Sequence, residues 1–247
     1  MSAFDGKVAI VTGGSQGVGL GIARALLDVG YAVVTCARTS FDVAPAARSD
    51  DEQQRAVHVS ADIRNDADID RVVQTALDRF GRLDVLVNNA GGQPPSDIAT
   101  ASPRFLRAIV ELNLTAPMIF AQKAYRVMAA GGSIINISSQ TSLPNGGGAT
   151  LVPYGAAKAG LNHMTRALAK AWGRKVRVNC VSIGWVRTEA MVDLLLPGDR
   201  AADVSEQIPV GRMGTPDEIG RICAFLASED AGYINGTTIW VDGGGGF

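Results

Sequence analysis

Two apolar patterns take turns along the chain. Short, mostly apolar runs rich in Val and Ile recur at 7–14 (KVAIVTGG), 31–38 (YAVVTCAR), 56–62 (AVHVSAD), 83–92 (LDVLVNNAGG), 132–139 (GSIINISS), 175–182 (KVRVNCVS) and 237–244 (TTIWVDGG). Runs of this length and make-up read as strands buried on both faces. Between them lie longer segments at 17–30, 67–81, 102–129, 152–173 and 215–228, in which apolar residues return every three or four positions. That is the period of an amphipathic helix. The 102–129 helix is expected to bend near Pro117, which has no backbone N–H to give. Thr215 is expected to cap the last helix, with Pro216 and two acids in its first turn. Strand alternating with helix predicts an α/β fold: a Rossmann-type, doubly wound parallel sheet of about seven strands flanked by helices. No repeat, low-complexity tract or linker divides the chain, so residues 1–247 are read as a single domain.

Composition narrows the classes. At 247 residues the chain can bury a large core without staples. Its formal net charge of −1 lacks the basic footprint of a nucleic-acid binder. No apolar run is long enough to span a bilayer. The first residues lack a basic segment, and Gly13 and Gly14 interrupt the first apolar run, so no signal peptide is expected and the location is read as cytoplasmic. Cys36, Cys180 and Cys223 are far apart and lie in apolar runs, as small buried hydrophobes do. His58 and His163 have no neighbour at metal-ligand spacing, so no metal site is expected.

Chemistry gathers where strands end. The first strand runs into TGGSQGVG, which places Gly13, Gly17 and Gly19 between a strand and a helix. There, backbone N–H groups and the positive helix terminus can face a pyrophosphate. The alternative is a plain tight turn. Near the end of the second strand, where an acid would hold the ribose of NAD, stand Ala37 and Arg38. A guanidinium there can pair with a 2′-phosphate, which favours NADP over NAD; the alternative is a solvated charge. Asp62 ends the third strand and could accept from an adenine amino group or simply lead into a helix. Tyr154 and Lys158 are four apart on one helix and so share a face. A free tyrosine, with a pKa of about 10, is a poor acid–base group at neutral pH. A nearby ammonium would lower that value.

TGGSQGVG, NNAG, Asn113 within ELNLTAP, INISS and YGAAKAG occur in this order, and the combination resembles the short-chain dehydrogenase/reductase family. Within that family the chain is most similar to the small single-domain 3-oxoacyl-carrier-protein reductase and ketone reductase group. The resemblance covers almost the whole chain. It implies hydride transfer between NADP(H) and a ketone or secondary alcohol, 3-oxoacyl thioesters included. It gives Tyr154 as general acid or base, Lys158 as its electrostatic partner and ribose ligand, Ser139 on the substrate oxygen, and Asn113 holding a relay water. Cofactor contacts are implied for Gly13, Ser15, Gln16, Gly17, Val18, Gly19, Arg38, Asp62, Ile63, Asn89, Ala90, Gly91, Tyr154, Lys158, Gly184, Val186 and Thr188. Ser138 is set aside because neighbouring strand residues point opposite ways.

Two departures stand out. Ile183-Gly184 replaces the family's usual Pro-Gly, and Gln16 stands where NADP-preferring members often carry a base. A substrate lid is expected within 186–212, with an amphipathic stretch at 189–198. Trp185 could line the pocket or pack, and His163 is expected to be packed or at an interface. A homotetramer (or homodimer) is implied by the resemblance. The alternatives are a catalytically silent dinucleotide sensor or scaffold, an NAD-dependent alcohol dehydrogenase of the same fold, and an isomerase or dehydratase with transient oxidation.

Overall fold

The computed structural model describes residues 6–41, 44–144, 146, 148–189 and 200–246, with only the backbone at 200–202. Seven strands form one parallel sheet: β1 Val8–Thr12, β2 Ala32–Ala37, β3 Ala56–Ser60, β4 Val85–Asn88, β5 Gly132–Ser139, β6 Val176–Ile183 and β7 Thr238–Val241. Their spatial order is β3-β2-β1-β4-β5-β6-β7, and every pairing is parallel. The order reverses between β1 and β4, so the C-terminal ends of these two strands open a crevice.

Strand alternation divides the core. Ala9 and Val11 of β1 face one side, against Ile22 and Leu26 of α1 (Gly17–Asp28) and Ile219, Cys223 and Leu226 near the chain's end. Val8 and Ile10 face the other side, with Ile69 and Val72 of α3 (Asp66–Phe80), Phe120 and Ala124 further on, and Ala169. Full burial of a side chain such as Phe120 contributes about 1.5–3 kcal/mol. All three cysteines are buried and free. A short helix that the apolar pattern did not predict, α2 (Asp50–Arg55), precedes β3. Its residues are all polar; Ser49 caps it and Arg55 pairs with Asp51 one turn earlier.

The segment predicted as one long helix at 102–129 has three parts. Pro103–Val110 (α4) is followed by a π-helical turn at Glu111–Thr115 and then by Ala116–Val127 (α5). The irregularity therefore sits just before Pro117. Pro117 cannot donate to the Asn113 carbonyl as an α-helix requires, and the Ala116 N–H reaches back to Glu111. Such π turns are frequent at functional sites.

A buried polar relay fixes the neighbouring strands. Asn88 Nδ2 donates to Asn136 Oδ1 at 2.9 Å, and Asn136 Nδ2 donates to Thr165 Oγ1 at 2.9 Å. It ties β4 and β5 to α6 (Val152–Trp172). Two further α-helices follow among the described residues, α7 (Arg200–Gln207) and α8 (Pro216–Ala227), with short 3-10 turns at Gln140–Ser142 and Glu229–Ala231. At the start of α8, Thr215 Oγ1 accepts from Glu218 N while Glu218 accepts from Thr215 N, a reciprocal capping box with Pro216 following the cap.

Candidate active site

The glycine turn has a steric reason at each position. Gly13 and Gly17 sit at φ +65° and +53°, which side-chain-bearing residues rarely adopt. A Cβ on Gly19 would collide with the Gly13 carbonyl oxygen and stand 2.5 Å from Asn89 Nδ2. Gln16 precedes α1 in extended conformation with no side-chain cap, and the first turn holds no acid. The leading N–H groups of α1 thus open toward the crevice, an arrangement suited to a phosphate. Ser15 is half-buried and Gln16 exposed at the turn, while Val18 packs its side chain into the core. Thr188 stands over Gly17, its Cγ2 3.3 Å from where a Cβ there would lie.

β4 ends at Asn88, earlier than the predicted 92, because the next amides turn away from the sheet. The N–H groups of Asn89 and Ala90 both donate to Thr12 Oγ1 at 2.9 Å. The Asn89 carboxamide donates to the carbonyls of Thr12 (2.9 Å) and Gly13 (3.3 Å). Its side chain therefore braces the glycine turn from behind. Thr12, which sequence reasoning missed, holds both strand ends. Only the tertiary structure shows why a β-branched hydroxyl belongs there.

Gly91, Asn113 and Lys158 come together. Asn113 is fully buried in the π turn. Its Oδ1 accepts from Gly92 N at 2.8 Å, and its Nδ2 donates to Gly92 O at 3.0 Å and Ile109 O at 2.9 Å. A Cβ on Gly91 would meet Asn113 Oδ1 at 2.6 Å and Lys158 Nζ at 3.3 Å. The Lys158 ammonium donates to Ile137 O at 2.7 Å and lies 5.5 Å from the centre of the Tyr154 ring. Burial draws its pKa down to about 8, partly opposed by the Cys180 thiol nearby.

Ser139, at the end of β5, stands beside the Tyr154 phenol, near enough to lower its pKa. Its Oγ accepts from Thr141 N at 3.2 Å, so its own proton remains free to donate. Ser138 points the other way, donating to the Lys158 carbonyl at 3.3 Å. The tyrosine departs from the sequence expectation. Burial raises its pKa, Ser139 lowers it, and burial prevails. The helical spacing to Lys158 does place the two side chains together, but the ammonium is turned toward the Ile137 carbonyl. The resting phenol is neutral, the protonation state of a proton donor.

The remaining predicted residues lie around this centre. Gly184 abuts Asp242, where a Cβ would come within 2.6 Å of the Asp242 Cβ. Val186 is buried and bridges to Gly214. Arg38 is exposed just past the end of β2 and, among the described residues, its guanidinium has no hydrogen-bond or ion-pair partner. Asp62 is occupied by Arg64, with Nε–Oδ1 at 2.9 Å and Nη2–Oδ2 at 2.5 Å, which holds its carboxyl below the usual range. Ile63 buries its side chain in the core. Ile63 can therefore meet a cofactor through its backbone only, whereas Val18 is only partly buried. Trp185 packs with Ile208, Met213 and Val204 and lines a cavity of about 340 Å³ between α8 and β7, away from Tyr154. His163 is exposed on α6, not packed. His58 bridges the loop after β2, its Nδ1 2.9 Å from Thr35 Oγ1 and its Nε2 2.9 Å from Thr39 O. Of the stretch expected as a lid, 186–212, residues 190–199 lie outside the described residues. Among the described residues no group of three metal-ligating side chains occurs, and no helix is long and apolar enough to cross a membrane.

Residues 13–245 match the family model described as enoyl-(acyl carrier protein) reductase. An L-fucose dehydrogenase from Oryctolagus cuniculus is 37% identical over 98% of this chain and 85% of its own length. A 2-dehydro-3-deoxy-D-gluconate 5-dehydrogenase from Escherichia coli is 35% identical over 99% and 98%. Among solved structures, a putative short-chain alcohol dehydrogenase from Sinorhizobium meliloti is 38% identical, with TM-score 0.88 over 98% of this chain and 96% of its own. The chain belongs to the short-chain dehydrogenase/reductase family. It is an oxidoreductase acting on alcohol/carbonyl pairs, and the family uses NAD(P) cofactors.

Proposed function

We propose that the chain transfers hydride between NADP(H) and a ketone or secondary alcohol, with Tyr154 as the proton donor or acceptor. The observation that carries this reading is the convergence of Ser139, Tyr154, Lys158 and Asn113 beside a glycine turn that a single Cβ would block. A bound nicotinamide dinucleotide supplies or accepts the hydride. Gly13, Gly17, Gly19 and the leading amides of α1 would hold its phosphates. Asn89 braces that turn, and Gly91, Gly184, Val186 and Thr188 would flank the nicotinamide half.

In the reducing direction, Ser139 donates a hydrogen bond to the substrate carbonyl oxygen and orients it toward Tyr154. The neutral phenol then gives its proton to the oxygen that becomes the alcohol. Lys158, with a pKa near 8, sits where it can stabilise the resulting phenolate and pass a proton onward. Asn113 keeps the Gly91–Gly92 backbone in place beside the ammonium. In the oxidising direction the same groups run in reverse, with Tyr154 as base.

NADP is preferred to NAD in this reading because Arg38 is exposed just past the end of β2; its charge reaches Asp62, but among the described residues its guanidinium makes no hydrogen bond or ion pair. Asp62 is compatible with the same preference, since Arg64 pairs with its carboxylate. The substrates extend to 3-oxoacyl thioesters, and a homotetramer in the cytoplasm belongs to the same proposal. The test is a panel of ketones, 3-oxoacyl thioesters and secondary alcohols, with NADPH and NADH side by side. Turnover with NADPH supports the reading. Tight dinucleotide binding with no hydride transfer to any member would favour a sensor.

A further inference from the structure

The helix that carries Tyr154 starts without a cap of its own. Leu151, at its N-cap, offers no side-chain acceptor, and no acid stands in the first turn. Pro153 has no N–H. The Tyr154 N–H is taken instead by Gln93 Oε1 at 3.0 Å, from 61 positions earlier in the chain. The same carboxamide donates through Nε2 to Thr150 O at 2.9 Å and Ser96 Oγ at 3.1 Å. Thr150 O also accepts from Ser96 N at 3.0 Å. An N–H needs an oxygen and a carbonyl needs an NH₂, so these partners fix the orientation of the amide.

Gln93 therefore joins three parts of the site. It lies just past Gly91 and Gly92, whose backbone Asn113 holds. It grips the loop that runs from Ser139 to α6, through Thr150. It also fastens the first turn of α6 at the residue bearing the phenol. We propose that Gln93 is a positioning residue for Tyr154, setting the phenol against Ser139 by capping the helix across the cleft. This rests on the acid–base reading of Tyr154. Displacing a reacting group by about 1 Å can cost about 100-fold in rate, so the phenol's anchorage has leverage on turnover that cofactor binding does not share.

The test uses the full-length protein with an active substrate from the panel above. Gln93→Met keeps the length of the side chain but none of its hydrogen bonds. Gln93→Glu keeps the acceptor for the Tyr154 N–H. The expected result is a fall in kcat of about 10-fold to 100-fold for Gln93→Met. The cofactor KM and directly titrated cofactor affinity stay within about 2-fold of wild type, as positioning rather than binding energy is lost. Gln93→Glu recovers part of the kcat loss. Wild-type kcat in Gln93→Met would overturn the inference. So would a loss shared between kcat and cofactor affinity, or a Gln93→Glu enzyme no better than Gln93→Met, each of which marks a merely structural clasp. Tyr154→Phe, run alongside, separates the two levels: if it turns over normally, the acid–base reading fails and this inference with it. If it is inactive while Gln93→Met is unimpaired, only the inference about Gln93 falls.

Discussion

The buried ammonium of Lys158 makes stability depend on pH in a particular sense. Its pKa falls from 10.5 to about 8 because charge is costly where the side chain is 3% exposed. Between those values the unfolded chain binds the proton and the folded one does not, so stability rises with pH across the window. Each pH step there carries about 1.4 kcal/mol. From pH 8 to pH 9.5 the contribution of Lys158 therefore grows by about 2 kcal/mol. Other buried groups act oppositely: the Tyr154 phenol and the Cys180 thiol, raised to about 11, hold their protons more tightly in the fold. The comparison with Lys158→Met, which keeps an apolar chain of similar length, isolates the lysine. Urea unfolding, followed by tryptophan fluorescence at fixed protein concentration, gives both curves. The expected outcome is that wild-type stability gains about 2 kcal/mol on the variant between pH 8 and 9.5. Parallel curves would mean that Lys158 titrates as a solvated amine, and would refute the argument from burial.

Arg38→Ala removes the cation assigned to the 2′-phosphate. Loss of charge-assisted hydrogen bonds worth about 1.5–3 kcal/mol should weaken NADPH roughly 10-fold to 100-fold and leave NADH nearly unchanged; equal losses in a fluorescence titration would refute the assignment. Gly19→Ala drives a Cβ into the Gly13 carbonyl. It should cost about 1–3 kcal/mol by denaturant unfolding and abolish measurable dinucleotide binding, and wild-type affinity would show that the turn is not the phosphate site. Thr215→Ala breaks the capping box at α8 and should destabilise the protein by about 1 kcal/mol. Because α8 packs on the face of the sheet away from Tyr154, turnover per folded molecule should not change.

What could be read from the chain depended on how local its cause was. β1, β2, β5 and β6 were legible because strands buried on both faces must be apolar throughout. α8 was legible because Thr215, Pro216 and Glu218 are neighbours in sequence. α2 was not, since an all-polar helix held by Ser49 and the Arg55–Asp51 pair shows no apolar period. The π turn was missed for a different reason: Pro117 announces a break but not how the preceding backbone absorbs it. The glycine turn, Asn113, Ser139, Tyr154 and Lys158 were all nameable as candidates, yet their couplings were not. Spacing placed Lys158 beside Tyr154 correctly, but it could not show that the ammonium turns to the Ile137 carbonyl or that burial keeps the phenol protonated. Gln93 reaches Tyr154 61 positions away and Thr12 reaches Asn89 77 positions away, and no periodicity marks such residues.

The most direct measurement compares wild type with Tyr154→Phe in a single turnover of bound NADPH against an active ketone, with NADPH affinity titrated on the same samples. Removing the phenolic hydroxyl takes away the proton donor while leaving the ring in place. The expected result is a hydride-transfer rate lower by about 100-fold to 10,000-fold, the usual worth of general acid catalysis, with NADPH affinity within about 2-fold of wild type. A variant that transfers hydride at the wild-type rate would contradict the assignment of Tyr154 as the acid at the centre of this site.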